Sequence, residues 1–391
     1  MAGNPVRFVV SPDGDVVINV KAWKNGLRTD VIIIADSATL KANSGYFERC
    51  LRFNSANGHG QHVITLEESH GRAMGIWVQY LHAGSDSSKD VLWKNPFIQR
   101  SATMDTLWHV ICEGDKYNFG RKILDSFFER LYSKLVDGDT LDDAPVQYNA
   151  TDLMRQLPLP CLIFNYAPGF AEVTRWLVYN SQGQILEKVP GWFKQTRFHL
   201  APKDFVGPMN LAHGRLRVIL HQALCGQVNS ILKDGDRKCK CQNWEKVCGR
   251  YIAALIKINV NPLESGTMSI NELLDNLAGF SIHRMPHCCT LCNVDWEGTV
   301  VAARTKVASY FDGLCLDCMD RSKRKRGDPD QHYWKHCASV EGRWDHYCRI
   351  AHGESTWYHS WLGRDEHRQK LIALHREDKR TKKRNSWLKR L

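Results

Sequence analysis

Two C-x-x-C pairs, Cys289/Cys292 and Cys315/Cys318, lie within one stretch of the chain, and Cys348 and His352 follow as a C-x3-H pair. Thiolate sulfur and imidazole nitrogen are the ligands zinc takes in closed tetrahedral structural sites, with Zn–S near ~2.3 Å. Between the two pairs, Trp296, Val300, Ala303, Val307 and Tyr310 recur at helical intervals, and Gly313 is the expected stop. This predicts one helix over about 294–312, roughly 28 Å long at ~1.5 Å per residue. Pairs at its opposite ends could not share one ion; either Asn293 to Gly298 folds back as a loop and shortens the helix, or each pair finds other partners.

The spacing therefore favours Cys315, Cys318, Cys348 and His352 as a Cys3His zinc set that clamps the chain after YFDGL to a Trp-rich segment. His332, His336, Cys337 and His346 lie in the same loop-rich region, with Trp334, Trp344, Trp357 and Trp361 around it. Cys289 and Cys292 need other partners. His283, His287, Cys288, Cys239, Cys241 and Cys248 lie upstream, and the sequence does not choose among them. Without a second knuckle nearby, Cys239, Cys241 and Cys248 read as ordinary reduced thiols, and free thiols are the alternative for both C-x-x-C pairs. Cys50, Cys112, Cys161 and Cys225 sit alone in apolar helical patterns and read as core.

The elements that must position these residues follow from periodicity. DVVINV (15–20) and DVIII (30–34), joined by a turn-like KNGLR, read as a hairpin. SATLKANSGYFERCLRF reads as two short helices joined near Gly45, HVITLEE (62–68) as a strand, and GRAMGIWVQYLHAG as a helix ending near Gly84. A polar insertion spans about 85–103. Two helical periods over 104–135 break around Asn118 to Gly120, and 160–185 and 210–232 are strongly periodic helical segments.

The order strand, strand, helix pair, strand, helix, helix pair resembles the BTB/POZ domain over about the first 135 residues. SATLKANSGYFERCL is similar to that family's helical hairpin, and ITLEE, YLHAG and CEGDKYNFGRKIL fall in the expected order. NYAPGFAEVTRWLVYN with YFDGLCLDCMDRS extends the resemblance over nearly the whole chain, to a large group of BTB proteins of filamentous fungi. The expected fold class is α+β: a BTB/POZ-like domain (1–135), a helical extension (150–280), a mainly helical Cys/His-rich zinc module (281–363) and a basic tail (364–391). The resemblance implies protein partners, homodimerisation or recruitment of a cullin ubiquitin ligase. The insertion after YLHAG departs from the compact family pattern and weakens a cullin surface.

Composition sets the remaining bounds. The chain has 391 residues, 43% hydrophobic and 24% charged, ordinary for a globular protein. The start MAGNPVRFVV lacks the features of a signal peptide, and no run of about 18 apolar residues occurs, so an intracellular, non-membrane protein is expected. Fourteen cysteines in that setting favour metal over disulfides. The net charge is +11; residues 364–391 hold eleven Lys and Arg against four Asp and Glu, and SKRKRG (322–327) is a second basic run. Both suit phosphate contacts or nuclear import, which favours the nucleus over the cytoplasm and admits a transcription or chromatin regulator touching nucleic acid. No DNA-reading module is recognisable.

Catalysis is not expected. His352-Gly-Glu354 follows the C-x-x-C pairs, the reverse of the order a zinc deaminase needs, and H-E-x-x-H, a Walker loop and G-x-S-x-G are absent. The expectation is a non-enzymatic interaction protein with structural zinc as its cofactor.

Overall fold

The computed structural model of the chain describes residues 6–24, 27–55, 62–84, 86–136, 149–193, 205–261, 267–286, 288–316 and 349–350. They form mixed α/β structure with far more helix than strand. The chain divides into two compact units. The described residues of Met1–Gln147, Leu159–Tyr166 and Val189–Lys194 make the first, and those of Tyr148–Pro158, Ala167–Lys188 and Gln195–Leu391 the second. Among the described residues no helix is long and apolar enough to cross a membrane.

The first unit is built on four strands: β1 (Val6–Val9), β2 (Val16–Lys24), β3 (Leu27–Ala35) and β4 (His62–Glu67), in the order β1-β3-β2-β4. β2 and β3 pair antiparallel, with Ile18 opposite Ile33, while β1 runs parallel to β3 and β4 parallel to β2. The hairpin matches the alternation of β-branched residues, since Val16, Ile18 and Val20 are all buried. The short β1 carries no such alternation; its identity as a strand comes from β3 beside it.

Helices α1 (Ser37–Asn43) and α2 (Gly45–Ser55) follow β3. Asp36 caps α1 by accepting the Thr39 N–H at 2.7 Å. The break between them falls on Ser44, whose hydroxyl donates to the Tyr117 carbonyl at 2.6 Å and accepts the Phe47 N–H at 3.2 Å. Phe47 and Leu51 are thereby seated in the core, burial worth about 1.5–3 kcal/mol for each such side chain.

Helix α3 (Gly71–Ala83) is buried along most of its length. The segment read as a polar insertion holds two short helices, α4 (Asp86–Trp93) and α5 (Pro96–Ser101). Asn95 caps α5 through the Phe97 N–H at 2.8 Å, and Ile98 enters the core; one buried residue per turn is too sparse a signal to show as periodicity. α6 (Met104–Lys116) ends where Asn118 adopts φ 53°, and a short 3-10 turn leads into α7 (Asp125–Val136).

Helices α8 (Ala150–Gln156), α9 (Pro158–Ile163) and α10 (Ala167–Asn180) come next, with Phe164 stacked on Phe128 in the first unit at 4.7 Å. The second unit centres on the long helix α11 (Val206–Lys238), against which α10, α12 (Trp244–Lys257), α13 (Ile270–Ala278) and α14 (Trp296–Ala308) pack. A capping box of Ser269 and Glu272 starts α13. α14 is shorter at both ends than the predicted 294–312: the Asp295 side chain accepts the Gly298 N–H at 3.1 Å and caps its start, and Ser309, whose N–H donates to the Thr305 carbonyl at 3.2 Å, caps its end.

Candidate metal centre

The C-terminus of α11 supplies the first half of a sulfur cluster. The Cys239 N–H bonds the Gly235 carbonyl at 3.0 Å and ends the helix, and Gln242 at φ 55° turns the chain into α12. Gly235 is required for this reversal: a Cβ there would run into the Trp244 ring, which lies against the last turn of α11. The result is a short loop on which Cys239 and Cys241 sit two residues apart.

The second half is the turn before α14. The N–H groups of Cys292 and Asn293 both donate to the Cys289 carbonyl at 2.9 Å, folding Cys289-Thr-Leu-Cys292 into a tight knuckle. Trp296 follows in the first turn of α14 and stacks on Tyr251 of α12 at 4.1 Å. The Tyr251 hydroxyl donates to the Leu224 carbonyl of α11 at 3.1 Å. One aromatic chain thus sets the knuckle beside the end of α11.

These two loops bring Cys239, Cys241, Cys289 and Cys292 together, all four sulfurs within 4.8 Å of one another. Cys239 Sγ lies 3.6 Å from Cys241, 3.4 Å from Cys292 and 3.8 Å from Cys289. Four sulfurs at ~2.3 Å from a central ion stand about 3.8 Å apart along the edges of a tetrahedron. Disulfide sulfurs would be at ~2.05 Å, and all four cysteines are free thiols. The donor set fits a thiophilic ion such as zinc.

The electrostatics agree with that fit. Burial opposes ionisation of Cys289, but the N–H groups of Cys292, Lys240 and Cys241 reach its sulfur and lower the thiol to about 5. The Cys289 N–H lowers Cys241 against the effect of burial, and the Asn243 N–H adds to it. Burial pushes Cys292 well up, reinforced by the sulfurs of Cys239, Cys241 and Cys289. Four sulfurs this close cannot all ionise side by side unless a cation sits among them, and metal binding releases the protons that otherwise keep some of them neutral.

No protein-family model matches the chain, and no curated protein matches it. The cluster is therefore read from its own chemistry.

Of the sequence-predicted ligands, Cys289 and Cys292 are in the cluster, and their partners are Cys239 and Cys241, two of the six upstream candidates, which the sequence favoured as ordinary thiols. Cys248 is a buried side chain of α12, its thiol pushed up by burial. His283 is exposed, and Cys288 is half-buried beside the cluster, its thiol raised by burial and by the neighbouring Cys241. Cys315 is not part of the cluster. It is 0% exposed, in a segment where Phe311, Leu314 and Leu316 are also buried. Cys318, Cys348, His352 and His287 lie outside the described residues, as do both basic runs. Of the thiols read as core, Cys161 is buried, and Cys50, Cys112 and Cys225 are intermediate.

The segment after α14 is fixed by α10. Leu314 N–H donates to Thr174 Oγ1 at 2.9 Å, and Phe311 N–H to the Tyr179 hydroxyl at 3.2 Å. That hydroxyl donates to the Val307 carbonyl at 2.7 Å. Gly313, at φ 98°, lies against the Ala171 carbonyl. The two phrases singled out in the sequence, NYAPGFAEVTRWLVYN and YFDGL, are therefore direct packing partners.

Proposed function

We propose that the chain is a non-enzymatic protein-interaction scaffold: a BTB/POZ-like first unit joined to a helical unit stapled by one structural zinc ion on Cys239, Cys241, Cys289 and Cys292. The observation that carries it is the four-sulfur cluster at tetrahedral spacing. Four protein ligands fill the coordination shell of zinc and leave no open position for water or substrate, which marks a structural rather than a catalytic ion. Support for the first unit comes from its element order: hairpin, helix pair, strand and buried helix follow one another as the resemblance implies. Zinc here would tie the end of α11 to the start of α14 across a sequence gap of 47 residues between Cys241 and Cys289.

The test is elemental analysis of the purified full chain. At least about one zinc per chain is expected, and Cys289→Ser should carry about one equivalent less. A wild-type chain with less than about one thiophilic metal ion, or a C289S chain with an undiminished content, overturns the site. Affinity purification from its own cells tests the scaffold role, and absence of any stoichiometric protein partner would overturn that role.

A further inference from the structure

Cys288 is a fifth thiol beside the four-sulfur cluster and stands outside it. It directly precedes Cys289 in the knuckle, is half-buried, and its sulfur interacts with that of Cys241 on the opposite loop. It also lines a small pocket of about 20 Å3 with Cys292, with Arg250 of α12, and with the exposed His283 and Arg284. One side of Cys288 therefore faces open space rather than packed core. A tetrahedral structural site is filled by four ligands, so a fifth sulfur has no place on the ion.

The cluster is also within reach of small solutes. Cys239, Cys241 and Cys289 are each half-exposed, and Cys292 is buried. A thiol that coordinates a metal is deprotonated outright, and the thiolate is the nucleophilic form of the side chain. Cysteines that respond to oxidants are accessible thiolates, often with a second cysteine beside them that resolves the first product. Cys241 and Cys288 supply that pair, one a ligand and one not.

We propose that Cys241 and Cys288 form an oxidation site for peroxides, in which a disulfide between them replaces the metal link between the two loops. The inference rests on the metal centre proposed above and assigns its regulation. The Cys241 thiolate attacks one oxygen of hydrogen peroxide and the O–O bond breaks. Cys241 becomes a sulfenic acid, and the other oxygen leaves as hydroxide, which takes a proton from solvent to become water. The Cys288 sulfur then attacks the Cys241 sulfur. The S–S bond forms, the S–O bond breaks, and the departing hydroxide takes the Cys288 proton as a second water. The two sulfurs together give up two electrons, and one peroxide is reduced. Cys239, Cys289 and Cys292 then remain as ligands, one short of a full set, and the ion is released. Because Cys241 and Cys288 lie on the two loops that the metal joins, the disulfide keeps the end of α11 tied to the start of α14 as the ion leaves.

The experiment treats the zinc-loaded full chain with hydrogen peroxide, follows metal release with a chromogenic chelator, and maps disulfides by mass spectrometry of its peptides. A parallel reaction traps sulfenic acid with a 1,3-dione. The wild type is expected to release about one equivalent of zinc and to yield Cys241–Cys288 as its main disulfide. Cys288→Ser should hold as much zinc as the wild type before oxidation, because Cys288 is not a ligand, and should show several-fold more dione on Cys241, because the resolving thiol is gone. Metal release with Cys288 still a free thiol overturns the switch and leaves the metal centre standing. So does metal retained at peroxide concentrations that oxidise an unbound thiol, or dione labelling that C288S leaves unchanged. A C288S chain short of zinc before oxidation would make Cys288 a ligand and overturn its resolving role. A wild-type chain that carries no zinc at the outset overturns the metal centre, and the switch with it.

Discussion

Cys289 and Cys315 each open a C-x-x-C, one before α14 and one after it, and the same spelling leads to two different environments. Before the helix, Cys289 and Cys292 meet two more sulfurs from the end of α11, with N–H groups turned toward Cys289. After it, Cys315 is wholly enclosed in a segment bonded to Thr174 and Tyr179 of α10. Local spacing sets only that two thiols fall on one knuckle. What the neighbouring helix brings to its first cysteine, sulfur for Cys289, hydroxyl and apolar surface for Cys315, sets the environment of each.

The largest expected effect follows from exchanging one cysteine at each end. Cys292→Ser should abolish metal binding at the cluster and lower the unfolding free energy by about 4 kcal/mol or more, because metal affinity gained on folding is folding stability. Chelation of the wild type should reproduce this loss. Cys315→Ala should keep the cluster metal and cost about 1–2 kcal/mol, the scale of a small buried side chain removed. Denaturant titration with metal analysis reads both. A Cys315→Ala chain that loses a full zinc equivalent and several kcal/mol would instead place Cys315 in the separate set with Cys318, Cys348 and His352.

That contrast also shows how far sequence alone reaches. The buried face of α14, Trp296, Val300, Ala303 and Val307, was legible because each residue repeats the helical period. So was the separation of Cys315 from the first pair, since even the shorter observed helix spans roughly 20 Å. The β2–β3 hairpin and β4 were legible from their runs of β-branched residues, and the α1–α2 pair from helical spacing broken at Gly45. Cys239 and Cys241 stood among six upstream candidates for Cys289 and Cys292, and nothing in the sequence singled them out. A C-x-C closing a helix has no signature of its own, and its meeting with Cys289 depends on Trp244 folding over Gly235 and on Trp296 stacking against Tyr251. β1 was missed likewise, as four residues that become a strand only beside β3.

A smaller effect tests whether the packed end is as sharply specified as the metal end. Gly313→Ala places a Cβ against the backbone carbonyl of Ala171, at a φ of 98° that side chains with a Cβ rarely adopt. Backbone cannot swing aside as a flexible side chain would, so a loss of about 3 kcal/mol is expected, with metal content unchanged. A cost below about 1 kcal/mol would mean that the turn relaxes freely and that α10 does not hold it.

The smallest change keeps shape and removes one hydrogen bond. Thr174 is buried, donates to the Phe170 carbonyl at 2.8 Å and accepts the Leu314 N–H at 2.9 Å. Thr174→Val preserves the branched outline and strands the Leu314 N–H in an apolar turn, which should cost about 1–2 kcal/mol. Amide hydrogen exchange separates this from a general loss of packing. The Leu314 amide should exchange faster in the variant relative to wild type, while amides of the Cys289–Cys292 knuckle keep their protection. Equal acceleration at both ends of α14 would show that the metal end and the packed end open as one unit.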